Sequence, residues 1–211
     1  MASDLIFYTN PMSRGQIARW AIEESGATYE TVVLDYATTM KAEPYLSINP
    51  MGKVPAIVHG GKVVTECAAI CAYLADAFPD AGLAPPLTDR ADYYRWLFFA
   101  AGPVEQAVVN RSMGFAPTED QGRMAGYGNY DLAVDVLEKA VTASPFIAGD
   151  RFTAADVYVG SQVIWGVQFG TLPKRAAFDD YMGRLIERPA YVRAKGIDSA
   201  LIAEAQGAAP A

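Results

Sequence analysis

Histidine is nearly absent from this chain: among 211 residues there is one, His59, in a hairpin beside two glycines. That excludes a Ser-His-Asp triad and leaves a metal centre short of ligands, so no metal is expected. Cysteine is almost as scarce, with Cys67 and Cys71 alone, too few for the disulfide framework of a small secreted domain. Four apart on a helix, the two thiols share a face and read as small buried apolar side chains. Positive charge is in deficit too. Against 24 Asp and Glu stand 17 Lys and Arg, and the formal net charge of -7 repels nucleic-acid phosphates and anionic membranes. No apolar run reaches the about 18 residues of a membrane helix, and the opening MASDLIFYTN has no basic segment leading into a long apolar one. The expectation is a cytoplasmic protein that binds neither nucleic acid nor membrane.

What is present is an ordinary globular composition, 52% hydrophobic and 19% charged, long enough for one large or two small domains. LIFYTN (5–10) reads as a strand stopped by Pro11. From Ser13 to Glu24 apolar residues recur at helical spacing, with Gly26 as the stop. YETVVLDY (29–36) is a second strand, and 41–48 is a short helix or loop. PAIVHGGKVVTE holds two apolar runs joined at Gly60-Gly61, a hairpin signal, and Cys67 to Phe78 follows as a helix. The order is βαβα followed by ββα. A Pro/Gly/Ala-rich stretch, 80–88, marks a linker after a first domain at 1–79. Everything beyond, 89–202, reads as helical, with a kink at Gly102-Pro103 and a mobile tail at 203–211.

One helix start in that second half carries its own mechanism. In FTAADV (152–157), Thr153 accepts from the Asp156 amide while the Asp156 carboxylate reaches back to the Thr153 amide, a capping box with Phe152 and Val157 as its staple. Asp156 is thereby read as a folding determinant and not as a catalytic acid.

The stretch with chemical content is NPMGKVPAI (49–57). Gly52-Lys53 lacks the spacing and the Ser or Thr of a phosphate loop. What remains is a proline at the lip of a strand, where a ladder bond is lost and where a Val54-Pro55 bond, if cis, would turn the Val54 backbone outward. Glu66-Cys67 then opens an apolar helix.

NPMGKVPAI, the Gly-Gly hairpin, TECAAICAYL and the later FTAADV occur in order over almost the whole chain, which thereby resembles the cytosolic glutathione S-transferase family. The resemblance implies an α/β plus all-α protein: a thioredoxin-like domain with a mixed sheet (βαβαββα), then an all-helical domain. It implies glutathione as co-substrate and no metal. Val54 would pair with the cysteinyl backbone across the cis Pro55 bond, and Glu66 would meet the γ-glutamyl ammonium. The residue 67 amide, at a helix N-terminus, would meet its carboxylate, and Lys53 or Lys41 the glycyl carboxylate. Where the family has Ser, this chain has Cys67; losing one such bond to a charged group would weaken binding by about 1.5 kcal/mol, about tenfold. A redox role for Cys67 ranks below its reading as a buried side chain.

Thioredoxin-fold redox proteins carry Cys-x-x-Cys in the first turn; here it is Pro11-Met12-Ser13-Arg14, which excludes a thiol relay. Ser13 matches the serine of those transferase classes that activate the glutathione thiol from the tip of the first helix, in a bacterial-like, serine-type arrangement. A simple N-cap is its alternative, and Tyr8 and Asn10 compete for the catalytic role. The second-substrate pocket is expected at Met12 with Phe99, Phe115 and Trp165, and Met51 resembles a knob inserted into a second subunit, hence a homodimer. The function implied is nucleophilic attack of the glutathione thiolate on a small electrophilic hydrophobic substrate, a detoxifying conjugation. Glutathione-dependent disulfide or peroxide reduction, isomerisation and non-catalytic binding are the alternatives.

Overall fold

The computed structural model describes residues 4–207. Among them, those up to Leu83 and those from Arg188 onward form one compact unit, and Ala84–Glu187 form the other.

In the first unit the order is β1 (Leu5–Thr9), α1 (Gly15–Ser25), β2 (Glu30–Val33), α2 (Tyr45–Ile48), β3 (Ala56–His59), β4 (Lys62–Thr65) and α3 (Cys67–Ala77). The sheet runs β2-β1-β3-β4, with β1 parallel to β2 and the other two pairs antiparallel. This is the expected βαβα then ββα with a mixed sheet. β1 alternates because one face is covered: Leu5, Phe7 and Thr9 are buried while Ile6 and Tyr8 are half-buried. The interior is built from Phe7, Ile22, Ile57, Ile70 and Leu74, all fully buried, each contributing about 1.5–3 kcal/mol.

The last helix of the chain, α10 (Pro189–Gly207), belongs to this first unit, whereas the sequence reading carries the helical domain on to 202. The reason is a set of pairs across 164 or more residues. Arg188 grips Glu24 with bonds of 2.6 and 2.7 Å, Arg193 meets Glu23 at 3.1 Å, and Arg19 meets Asp198 at 2.8 Å with both side chains buried. Tyr191 stacks edge-on against Trp20 at 4.9 Å. Burial pushes the Asp198 carboxyl up despite the facing guanidinium. Of the residues expected in a mobile tail, 203–207 lie within α10 and 208–211 fall outside the described residues.

The second unit is helical: α4 (Ala91–Phe99), α5 (Glu105–Ser112), α6 (Glu119–Met124), α7 (Tyr130–Thr142), α8 (Ala154–Gln168) and α9 (Ala176–Ile186). The expected kink at Gly102-Pro103 is a π-helical turn over Ala100–Val104. Pro103 has no N–H to give, and the Glu105 amide reaches back to the Ala100 carbonyl. The capping box at Thr153 is formed, and Asp156 does more than close it. Its carboxylate also accepts from the Ile147 amide at 2.7 Å and the Tyr181 hydroxyl at 2.8 Å.

Candidate functional site

Strand register gathers the site. Tyr8 lies opposite Ala56 and Ala56 opposite Thr65, while Thr9 lies opposite Val33. The ends of β1, β2 and β4 and the start of β3 thus share one end of the sheet, and the segments leaving that end carry Ser13, Lys41, Lys53 to Pro55, and Glu66 with Cys67. Residues scattered over fifty positions converge because a mixed sheet aligns those strand ends.

The turn after β1 is pinned from several directions. The Asn10 side chain, buried, donates to the Leu34 carbonyl at 2.8 Å and accepts from the Met12 amide at 2.9 Å. The Tyr36 hydroxyl donates to the Met12 carbonyl at 3.2 Å, and Gln16 Nε2 to the Pro11 carbonyl at 2.5 Å. Asn10 is therefore committed to holding the turn. Tyr8 is half-buried with its ring 5.5 Å from that of Tyr45. Ser13 is half-buried; its hydroxyl accepts from the Gly15 amide at 2.9 Å and donates to the Asn10 carbonyl at 2.6 Å. Helix α1 begins directly beyond it. Glycine stands at 15 because the backbone there lies against β1: a Cβ would fall 1.9 Å from Thr9 Oγ1 and 3.0 Å from Ser13 Oγ.

The Val54-Pro55 bond is cis. Ahead of it, the Lys53 carbonyl accepts from Asn49 Nδ2 at 2.8 Å and from the buried Tyr45 hydroxyl. Lys41 reaches the same loop, its ammonium donating to the Gly52 carbonyl. Lys41 and Lys53 are both exposed. The residues that shape this loop, Tyr45 and Asn49, have no signature in the sequence, because what they hold is a backbone carbonyl four to eight residues on.

Glu66 precedes α3 with φ 64 and ψ 115, the positive-φ conformation that side chains disfavour, at a cost of about 1–3 kcal/mol. Its carboxylate is exposed and makes no cap bond to the helix, and the first turn holds no acidic residue. Cys67 is buried, and its thiol donates to the Arg14 carbonyl at 3.6 Å, tying the start of α3 to the turn that carries Ser13.

Met12, 64% exposed, lines a cavity of about 730 Å³ with Asn10, Leu34, Asp35, Leu201 and Ile202. Asp35 is held below the usual carboxylate range by the Ala37 amide and by Thr38. Phe99, Phe115 and Trp165 are not among the residues lining this cavity; they stand on the end of α4, beyond α5 and on α8 of the second unit. Among the described residues no group of three or more His, Cys, Asp or Glu is placed to hold a metal ion, and no helix is long and apolar enough to cross a membrane.

A thioredoxin-like domain with a cis-proline loop and a helix whose preceding Glu66 makes no side-chain cap bond, followed by a helical domain, defines a class, and comparison with known proteins places the chain within it. Residues 3–76 match the family described as glutathione S-transferase, N-terminal domain. A glutathione S-transferase of Escherichia coli O157:H7 is 29% identical over 182 residues, 80% of this chain and 86% of that one. Glutathione S-transferase 3 of Zea mays is 30% identical over 72% of this chain and 73% of its own length. The structure of a sphingomonad glutathione S-transferase complexed with glutathione is 30% identical, with a TM-score of 0.74 over 92% of this chain and 98% of that chain. The chain belongs to the glutathione S-transferase family, and it is an enzyme of the transferase type.

Proposed function

We propose that this transferase binds glutathione at the shared end of the sheet and that Ser13 ionises its thiol for attack on a small hydrophobic electrophile. The observation that carries this reading is the meeting of three features there: the Ser13 turn, the cis Val54-Pro55 loop and the Glu66 carboxylate that caps nothing. Val54 offers its backbone to the cysteinyl residue, Glu66 its charge to the γ-glutamyl ammonium, and the first amides of α3 meet the adjacent carboxylate. Lys53 and Lys41 stand for the glycyl carboxylate. Cys67 gives its amide, while its thiol serves the Arg14 carbonyl, so the exchange of Ser for Cys leaves the fold of the site intact. The electrophile is assigned to the cavity beside Met12, which Phe99, Phe115 and Trp165 do not line. Met51, 71% exposed, is free to serve as the knob of a homodimer, the form we read as the working one.

Ser13 favours ionisation of the thiol, whose proton leaves to solvent, by a rotation of its hydroxyl that donates a hydrogen bond to the resulting thiolate. Turning the hydroxyl about its Cβ–Oγ bond redirects the proton from the Asn10 carbonyl to a sulfur, with no heavy atom moved and the Gly15 amide still bound. The Asn10 carbonyl keeps the Ser13 amide, at 3.1 Å. A hydrogen bond to a charged group stabilises by about 1.5–3 kcal/mol, the bond given up costs about 1, and the helix terminus adds about 0.3–1. The sum lowers the thiol pKa by about one to two units.

Two outcomes test the proposal. An aryl halide, a mixed disulfide and a hydroperoxide assayed side by side with glutathione should show conjugation of the halide; turnover of the disulfide alone would replace the proposed reaction with reduction. Glu66→Gln should weaken glutathione binding by about 1–3 kcal/mol in calorimetry with the melting temperature unmoved. Glu66→Gly should weaken binding at least as much, yet melt no lower than the parent, because glycine accepts a positive φ without strain. Parent-like glutathione affinity in both variants would remove Glu66 from the site.

A further inference from the structure

Between the turn that carries Ser13 and the last helix of the chain lies one side chain, Gln16, that the transferase reading leaves without a role. It sits on the first turn of α1. Its amide nitrogen donates to the Pro11 carbonyl at 2.5 Å, and its amide oxygen accepts from the Lys195 ammonium of α10 at 2.7 Å. Lys195 is donor only, so the amide can face just one way: oxygen toward the lysine, nitrogen toward the turn. The ammonium also polarises the amide and strengthens the N–H it presents to Pro11. Helix α10 is seated independently of this contact, by Arg188 on Glu24, Arg193 on Glu23 and Asp198 on Arg19. Lys195 therefore stands on a fixed platform, and Gln16 transmits that platform to residue 11, two positions before the catalytic hydroxyl.

We propose that Gln16 is a positioning residue for thiol activation: bridging Lys195 to the Pro11 carbonyl, it fixes the turn that aims Ser13, and so makes the seating of the C-terminal helix part of the catalytic apparatus. This rests on the assignment of Ser13 as thiol activator. The demand for such a brace is geometric. A hydroxyl stabilises a thiolate only within hydrogen-bond reach, and a displacement of about 1 Å can cost about a hundredfold in rate. Asn10 and Tyr36 brace the neighbouring positions from the β2 side. Gln16 braces the turn from the helix side.

The test is the pH titration of glutathione thiolate absorbance in the binary complex, with kcat, KM and melting temperature measured on the same variants. Gln16→Glu keeps the pairing with Lys195 but has no N–H for the Pro11 carbonyl. It should raise the thiol midpoint by about one unit, leaving about tenfold less thiolate and a matching loss of kcat/KM near neutral pH that recovers as pH rises. Its melting temperature should stay within about 2 °C of the parent, as for a surface change. Gln16→Ala should behave alike. Lys195→Ala should move the midpoint in the same direction by less, and Lys195→Arg should restore most of that loss. If Ser13→Ala shifts the midpoint while both Gln16 variants titrate like the parent, the bridge is structural, the proposal is overturned and the Ser13 assignment stands. A loss in Gln16→Glu carried only by the glutathione KM or by a lowered melting temperature overturns it equally. If Ser13→Ala itself titrates like the parent, the activator assignment fails and the positioning role falls with it.

Discussion

Asp156→Ala is expected to destabilise the helical unit by about 3–5 kcal/mol, enough to lower the melting temperature by about 10 °C or more. Asp156 is fully buried and accepts four hydrogen bonds. They come from the Thr153 amide at 2.9 Å, the Thr153 hydroxyl at 3.1 Å, the Ile147 amide at 2.7 Å and the Tyr181 hydroxyl at 2.8 Å. Alanine removes the cap, worth about 1 kcal/mol, and leaves the Ile147 and Tyr181 donors unpaired in the core at about 1–3 kcal/mol each. Against a total of about 5–15 kcal/mol the variant is marginal. A circular-dichroism melt within about 2 °C of the parent would refute the assignment.

The pH dependence has a defined sign. Burial raises the Asp156 carboxyl above its ordinary 3.8, outweighing the bonds that favour the charge. The folded chain therefore holds this proton more tightly than the unfolded one. Its contribution to stability is complete below the unfolded pKa and is lost as pH rises through the folded one. Asp156→Asn does not titrate at 156, so the gap in melting temperature between parent and Asp156→Asn should narrow as pH rises through that window. A gap that widens over the same window would contradict the raised carboxyl.

Ser13→Ala is the largest expected effect on catalysis. Removing the hydroxyl forfeits the thiolate hydrogen bond, net of the bond to Asn10 it gives up, but leaves the helix terminus, so kcat/KM near neutral pH should fall about two- to thirtyfold. The loss has a diagnostic shape. The pH profile should move up by about half a unit to one and a half units and meet the parent where both thiols are ionised, because only the thiolate fraction changes. Glutathione affinity should change little, since Val54, Glu66 and the start of α3 remain. The Asn10 carbonyl keeps the Ser13 amide bond, and the turn keeps its Leu34, Tyr36 and Gln16 anchors, so the variant should fold. An unchanged profile would move the role to Tyr8, which is half-buried at the same end of the sheet. Asn10 is the weaker substitute, because its amide is already given to Leu34.

The sequence by itself determined the features whose causes lie within a few residues. Gly60-Gly61 closes the β3–β4 hairpin at φ 55 and 74, Thr153 and Asp156 close a box three residues wide, and Pro55 permits the cis bond beside Val54. Glycine freedom, a hydroxyl opposite an amide and an X-Pro bond act over one turn of chain, so a linear reading sees both partners at once. The order of strands and helices followed from the same local signals. Only the tertiary structure decided what those pieces face. Nothing near Asp156 announces Ile147 or Tyr181, and nothing near Cys67 announces the Arg14 carbonyl, 53 residues away. The return of α10 to α1 rests on Arg19 with Asp198 and Gln16 with Lys195, each pair 179 residues apart, so α10 was read with the helices before it. Such partners are selected by which faces packing brings together, and in the unfolded chain they share no neighbourhood. The carboxylate of Glu66 shows both halves of the matter: its place before a helix is written in the sequence, but the positive φ it takes there and its lack of a cap bond to the helix belong to the fold.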